Sequence, residues 1–234
     1  MAKAAKAQGE TPREVERRKT ILRAAVEVFA RKGYHGCRIA DVAKEAGVAY
    51  GLVYHYFKNK EELLDSVFQA GWTAFVDRIK ASVAAGGSLE ERVRRVASVA
   101  FDAYKHDPRG VRVLILEIAR SPGSGRVNRA SAFGEVIYMA REMFEEAQNK
   151  GELRADIDPM LCAALLFGQI EMGLTAFVLG LVDPKDEVRV ERARNQISES
   201  FLHGILPTGG GANAEVTSWK SDKSATRSRA QRRS

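Results

Sequence analysis

Cys37 and Cys162 are the only two cysteines in a chain of 234 residues. They stand far apart in segments that read as helical, which excludes a disulfide framework and a CxxC site. The four histidines, His35, His55, His106 and His203, share no metal-ligand spacing, and no HExxH occurs. A glycine-rich phosphate loop, a GxSxG elbow and a Cys/His nucleophile arrangement are also missing. Enzyme chemistry is therefore not expected, nor are a catalytic residue, a metal or a cofactor. No long apolar segment opens the chain in the manner of a secretory signal, so the expected location is cytoplasmic.

Charge is present but unevenly spread. The net +7 divides into +3 over residues 1–20 (six basic, three acidic) and +4 over 21–60 (seven basic, three acidic). Residues 61–206 carry eighteen basic and twenty-two acidic groups, −4, and residues 207–234 carry six basic and two acidic, +4. Basicity at one end and mild acidity in the middle suit a nucleic-acid reader joined to a body with another task.

The reader is the stretch from Arg38 to Lys60. Ile39, Val42, Ala43 and Ala46 share one face of a short helix, about Ile39 to Ala46, at spacings of three and four. Gly47 suits the left-handed turn that follows. A second short helix runs from about Ala49 to Phe57, with Val53 and Phe57 turned inward. Tyr50, Gly51, Leu52, Tyr54 and His55 then lie outward or at the edges, with Tyr56 beside them. Tyrosine and histidine can bond phosphates, and an apolar side chain can touch a thymine methyl. Gly51 permits close backbone approach. Lys58 and Lys60 are placed for phosphates. This is helix-turn-helix spacing, in which the second helix reads the major groove.

The segment resembles the DNA-binding part of the TetR family of bacterial transcriptional repressors. The marks are Gly33-Tyr34, Ile39-x-Asp41-Val42-Ala43, Ala46-Gly47-Val48, Tyr54-His55-Tyr56-Phe57 and Lys60-Glu61-x-Leu63-Leu64, within residues 15 to 68. Two stretches depart from the pattern. Cys37-Arg38 stands where the family has Thr or Ser, and Ala49-Tyr50-Gly51-Leu52 replaces a Ser-Lys-Gly-Thr-like run, so hydroxyl caps are lost. Arg38 offers a charge in their place. The DNA-binding set expected is Arg38, Ala49, Tyr50, Gly51, Leu52, Tyr54, His55, Tyr56, Lys58 and Lys60.

The fold class expected is all-α. Residues 1–14 read as a flexible basic arm, 15–60 as the helix-turn-helix domain, 61–206 as a helical effector-binding and dimerisation domain, and 207–234 as a disordered basic tail. Helices are expected from about Pro12 to Lys32, ended by Gly33, and from Lys60 to Val83. Ser88-Leu89-Glu90-Glu91 is a capping box opening a helix to Lys105. Asp107-Pro108-Arg109-Gly110 reads as a turn, Val111 to Arg120 as a short helix, and 121–125 as a loop. Helices follow near 126–149, 158–181 and 185–205. Leu161 to Val182 has the length of a membrane span. Glu171 at its centre would cost about 2.5–3.5 kcal/mol there, and the acidic Asp156, Asp158 and Asp183 flank it. A helix buried between subunits fits better, and no membrane partner is expected.

The resemblance implies a homodimer, formed by this helix and 185–205, on a palindromic operator in double-stranded DNA. Ala164, Gly168, Ile197 and Phe201 are the expected interface residues. The apolar candidate pocket residues point to a small lipophilic effector that releases the repressor; the resemblance adds acyl-CoA-type ligands of the fatty-acid branch, and multidrug-like or aromatic effectors fit the same residues. The candidate effector residues are Phe101, Tyr104, Leu114, Ile118, Phe133, Ile137, Tyr138, Phe167, Gln169, Glu171 and Thr175, each of which also has an ordinary use as core. A constitutive dimeric regulator, or an activator without an effector, is the alternative.

Overall fold

The computed structural model describes residues 11–118, 129–183 and 186–206, and all regular structure among them is helical. The loop expected at 121–125 and most of the terminal arm and tail lie outside the described residues. Helix α1 (Pro12–Gly36) starts inside the stretch read as an arm. Thr11 and Glu14 form a reciprocal capping box there, with Pro12 in the first turn. Gly33, at φ 72°, breaks the helical path near the expected end.

Helix α2 (Ile39–Ala46) ends on Gly47 at φ 64°, ψ 32°, and Val48 N–H donates to the Ala43 carbonyl at 3.0 Å. That left-handed turn swings the chain into α3 (Tyr50–Tyr56). The missing hydroxyl cap of α2 is partly replaced, because Asp41 accepts the Arg38 backbone N–H at 2.9 Å. Lys32 pairs with the same carboxylate at 2.6 Å and holds it below its ordinary pKa.

Helix α4 (Lys60–Ala84) runs without interruption from reader to body. Its Leu63, Leu64 and Phe68 join Ile21, Val28, Phe29, Val42, Val53 and Phe57 in the reader's core. Helix α5 (Leu89–His106) opens on the Ser88 capping box as expected. The expected turn at Asp107 is instead a helix start. The Asp107 carboxylate caps the Gly110 N–H at 2.8 Å and Pro108 takes the first helical position of α6 (Pro108–Val113). One π-helical turn, Leu114–Ile118, continues it.

Helices α7 (Arg129–Asn149), α8 (Pro159–Val178) and α9 (Glu187–Ile205) complete the described body. A second core, with Phe101, Phe144, Leu166, Phe177 and Phe201, lies among α5, α7, α8 and α9. By length and composition α8 alone, among the described residues, suits a membrane span. In the fold it packs on α7 and α9, with Leu161, Leu165 and Met172 left exposed.

Candidate nucleic-acid interface and effector cavity

Helix α3 is seated by its inner face. Val53 and Phe57 are 0% and 1% exposed, whereas Tyr50 and Tyr54 are 54% and 43% exposed. One turn separates the two tyrosines, so their rings meet edge-on at 5.2 Å and 67°. Their hydroxyls share a hydrogen bond of 3.2 Å, which holds the Tyr54 phenol above its ordinary pKa. Ala49, Gly51 and His55 are exposed, and Leu52 and Tyr56 are half-buried. His55 stands perpendicular to the Tyr56 ring at 5.1 Å. A Cβ added at Gly51 would meet nothing within 4 Å. Its backbone is helical, so nothing inside the protein demands glycine at that place.

Arg38, which precedes α2, and Lys58, which follows α3, are both exposed. Lys60 is not a purely external cation. Its ammonium donates to the Tyr34 and Cys37 carbonyls at 2.7 and 3.1 Å and lies 4.3 Å above the Tyr34 ring. Two of its three N–H bonds are thereby spent on tying α4 to the turn before α2. Tyr34 is pinned in turn by its hydroxyl on Glu61 at 2.8 Å. Arg18 donates to the Ser66 hydroxyl at 3.4 Å and covers the Phe57 ring at 5.2 Å.

Behind the reader lies a cavity of about 420 Å³. Five expected effector residues line it: Leu114, Phe133, Ile137, Phe167 and Glu171. Five others do not. Phe101 and Tyr104 are ordinary core at 1% and 4% exposure. Tyr138 is turned to solvent beneath the Arg141 guanidinium, and Gln169 is exposed. Thr175 is buried but turns its hydroxyl back to the Glu171 carbonyl at 2.8 Å. The Ile118 side chain lies outside the described ones.

Sequence reasoning missed the opposite wall. Leu22, Arg23 and Val26 reach the cavity from α1, and Trp72, Phe75 and Arg78 reach it from α4. The one available signal was α4 itself, whose apolar residues 63, 64, 67, 68, 72, 75, 76 and 79 cover more than one packed face needs. Arg23, Arg78 and His106 are exposed as well as lining, so the cavity has a charged rim reaching solvent.

Of the expected interface residues, Ala164 and Gly168 are exposed on α8, alongside Leu161, Leu165 and Met172. Of the two on α9, Phe201 is core of its own subunit and Ile197 is half-buried. Phe201 is 3% exposed and packs on Phe144 at 5.9 Å, and Ile197 fills the space above Gly173 of its own subunit. Both belong to the stripe that seats α9 on its own body.

Residues 21–67 match the family described as bacterial regulatory proteins, tetR family, and residues 68–195 the YsiA-like protein, C-terminal region. The seam between the two falls inside α4. The fatty acid metabolism regulator protein of Bacillus subtilis (strain 168) is 31% identical over 185 residues, covering 79% of this chain and 93% of the relative. The fatty acid degradation regulator FadR from Bacillus halodurans superposes with a TM-score of 0.73 at 27% identity, covering 84% of this chain and 98% of its own. FadR from Bacillus subtilis in complex with stearoyl-CoA superposes with a TM-score of 0.71 at 29% identity, covering 80% and 98%.

Proposed function

The chain belongs to the tetR family of bacterial regulatory proteins and is a transcriptional regulator, not an enzyme, and on that premise we propose a cytoplasmic repressor released from DNA by a lipophilic effector. As a homodimer it holds a palindromic operator, and a fatty acyl-CoA filling the cavity lowers that affinity. The observation that carries this reading is the composition of the cavity wall. One side is α1, an element of the reader, and the others are α4, which spans reader and body, and α5, α6 with its π-turn, α7 and α8 of the body. An occupant of that space bears on both halves at once. It shifts their arrangement to the extent that it prefers one arrangement over the other.

Chemistry supports the class of effector. The buried part of the wall is apolar, which suits an alkyl chain. Arg23 and Arg78 at the rim suit the phosphates of a coenzyme A head. A relative bound to stearoyl-CoA supports the same choice.

The DNA contacts proposed are Arg38, Ala49, Tyr50, Gly51, Leu52, Tyr54, His55, Tyr56 and Lys58, with Lys60 giving its remaining N–H. The apolar face of α8, Leu161, Ala164, Leu165, Gly168 and Met172, is the proposed twofold contact, since a stripe of this kind is seldom left in water. Two subunits put two short reading helices on one duplex, and the operator is then an inverted repeat. Selection of bound duplexes from a random pool tests this. An inverted repeat carrying two subunits is expected, and an asymmetric site carrying one subunit would refute the reading.

A further inference from the structure

Trp72 sits on α4 with its indole in the cavity wall and is 5% exposed. Its Nε1–H is closed off from solvent and has no hydrogen-bond partner among the described residues. Buried donors in folded proteins nearly always have one, so an orphan beside a cavity calls for an explanation. Among the described lining residues, Trp72 is the only buried side chain with a polar atom. The charged lining residues Arg23, Arg78, His106 and Asp107 are exposed, and Glu171 is half-buried.

Three aromatic rings surround the indole. Phe68 is stacked on it at 5.5 Å and 22°, and Phe75 is tilted against it at 5.5 Å. Phe133 stands perpendicular to it at 4.7 Å and 72°. All three line the cavity; Phe68 is fully packed at 1% exposure, whereas Phe75 and Phe133 are half-buried. Of the two half-buried rings, Phe133 lies nearer the indole and comes from α7, so it can move aside without α4, which carries both Trp72 and Phe75.

We infer that Trp72 determines effector specificity, its indole N–H donating to the carbonyl oxygen that heads an apolar chain once Phe133 has moved aside. The inference rests on the reading of this cavity as an effector site. A plain hydrocarbon would leave the donor unsatisfied. A free carboxylate would enter a cavity whose lining includes the acidic Glu171, and like charges repel. A thioester or ester carbonyl supplies lone pairs without charge. A buried donor of this kind discriminates against the analogue that lacks its acceptor.

The test compares stearoyl-CoA, S-octadecyl-CoA (the thioether without the carbonyl) and stearate by calorimetric titration. The wild-type protein is expected to bind stearoyl-CoA about two- to twelvefold more tightly than the thioether, the range of one net hydrogen bond, and more tightly than stearate. Trp72→Phe keeps a ring and removes the donor, so the two CoA ligands should bind it equally. Benzothienylalanine at position 72, which keeps the bicycle without N–H, repeats the comparison with less disturbance of packing. Equal wild-type affinities for the two CoA ligands, or discrimination that survives both replacements, overturn the inference and leave the effector reading standing. Failure of the wild-type protein to bind any of the three overturns both.

Discussion

Arg112 Nη1 donates to the Val178 carbonyl at 2.6 Å, tying the end of α6 to the C-terminus of α8. A cation there suits the negative end of the helix. The Nε of the same guanidinium donates to the Ala30 carbonyl on α1 at 3.2 Å. One side chain thus joins the reader to the body, two residues before Leu114 in the cavity wall. Arg109 adds an ion pair to Glu27 of α1 at 2.5 Å. Replacing Arg112 with leucine is expected to shrink the effector's influence on operator affinity several-fold, within the usual coupling range of about 1–3 kcal/mol. Anisotropy titrations of labelled operator with and without stearoyl-CoA measure it. An unaltered ratio of the two affinities would remove Arg112 from the coupling.

A substitution at Gly51 tests the proposed DNA contact separately from folding. An alanine there meets no protein atom, and in a helix interior it is worth about 0.5–1 kcal/mol over glycine. Gly51→Ala should therefore melt no lower than the wild-type protein while binding operator more weakly. Full operator affinity in this variant would mean that α3 does not approach the DNA backbone at that point.

Lysines 58 and 60 should behave differently. Lys60→Ala abandons two half-buried carbonyl contacts and is expected to cost about 1–3 kcal/mol of stability, seen in denaturant melts. Lys58→Ala removes an exposed cation and should leave the melt in place. The log–log salt slope of operator binding should become shallower by about one for Lys58→Ala. A slope identical to the wild-type value would take Lys58 out of the phosphate contacts.

Glu146 predicts acid sensitivity in the body. Lys150 first, and then Arg92, hold its carboxyl far below its ordinary 4.5, at about 2. Because the folded state binds this proton less readily than the unfolded chain, the contribution to stability is complete above about pH 4.5. It drains away as the pH falls towards 2. Arg92 is 3% exposed, with Nε and Nη2 unpartnered, and it keeps Glu146 at 2.8 Å as its ion pair. Glu146→Gln should lower the melting temperature at pH 7 and flatten its decline between pH 4.5 and 2. A parallel decline in both proteins would contradict the assignment.

These features differ in how openly the sequence carries them. The reader was legible because its geometry is local: Gly47 turns the chain, and Val53 and Phe57 anchor α3 within ten residues. The Ser88 box and the Gly33 break were legible for the same reason. Asp107-Pro108-x-Gly110 misled because those residue types serve a turn and a helix start equally well, and only the Asp107–Gly110 bond distinguishes them. The cavity was half legible. Leu114, Phe133 and Phe167 lie in apolar stripes of the middle helices, but Trp72 and Val26 reach the same space from helices with their own packing tasks. Nothing in the local pattern of α9 reveals that Phe201 faces Phe144 instead of a second subunit.

The most direct measurement is the titration of stearoyl-CoA into the protein bound to its selected operator, followed by fluorescence anisotropy at constant salt. Progressive release of the duplex, saturating as the cavity fills, is the predicted result. Operator binding that stays unchanged while calorimetry shows stearoyl-CoA bound would contradict the claim that this cavity controls the reader.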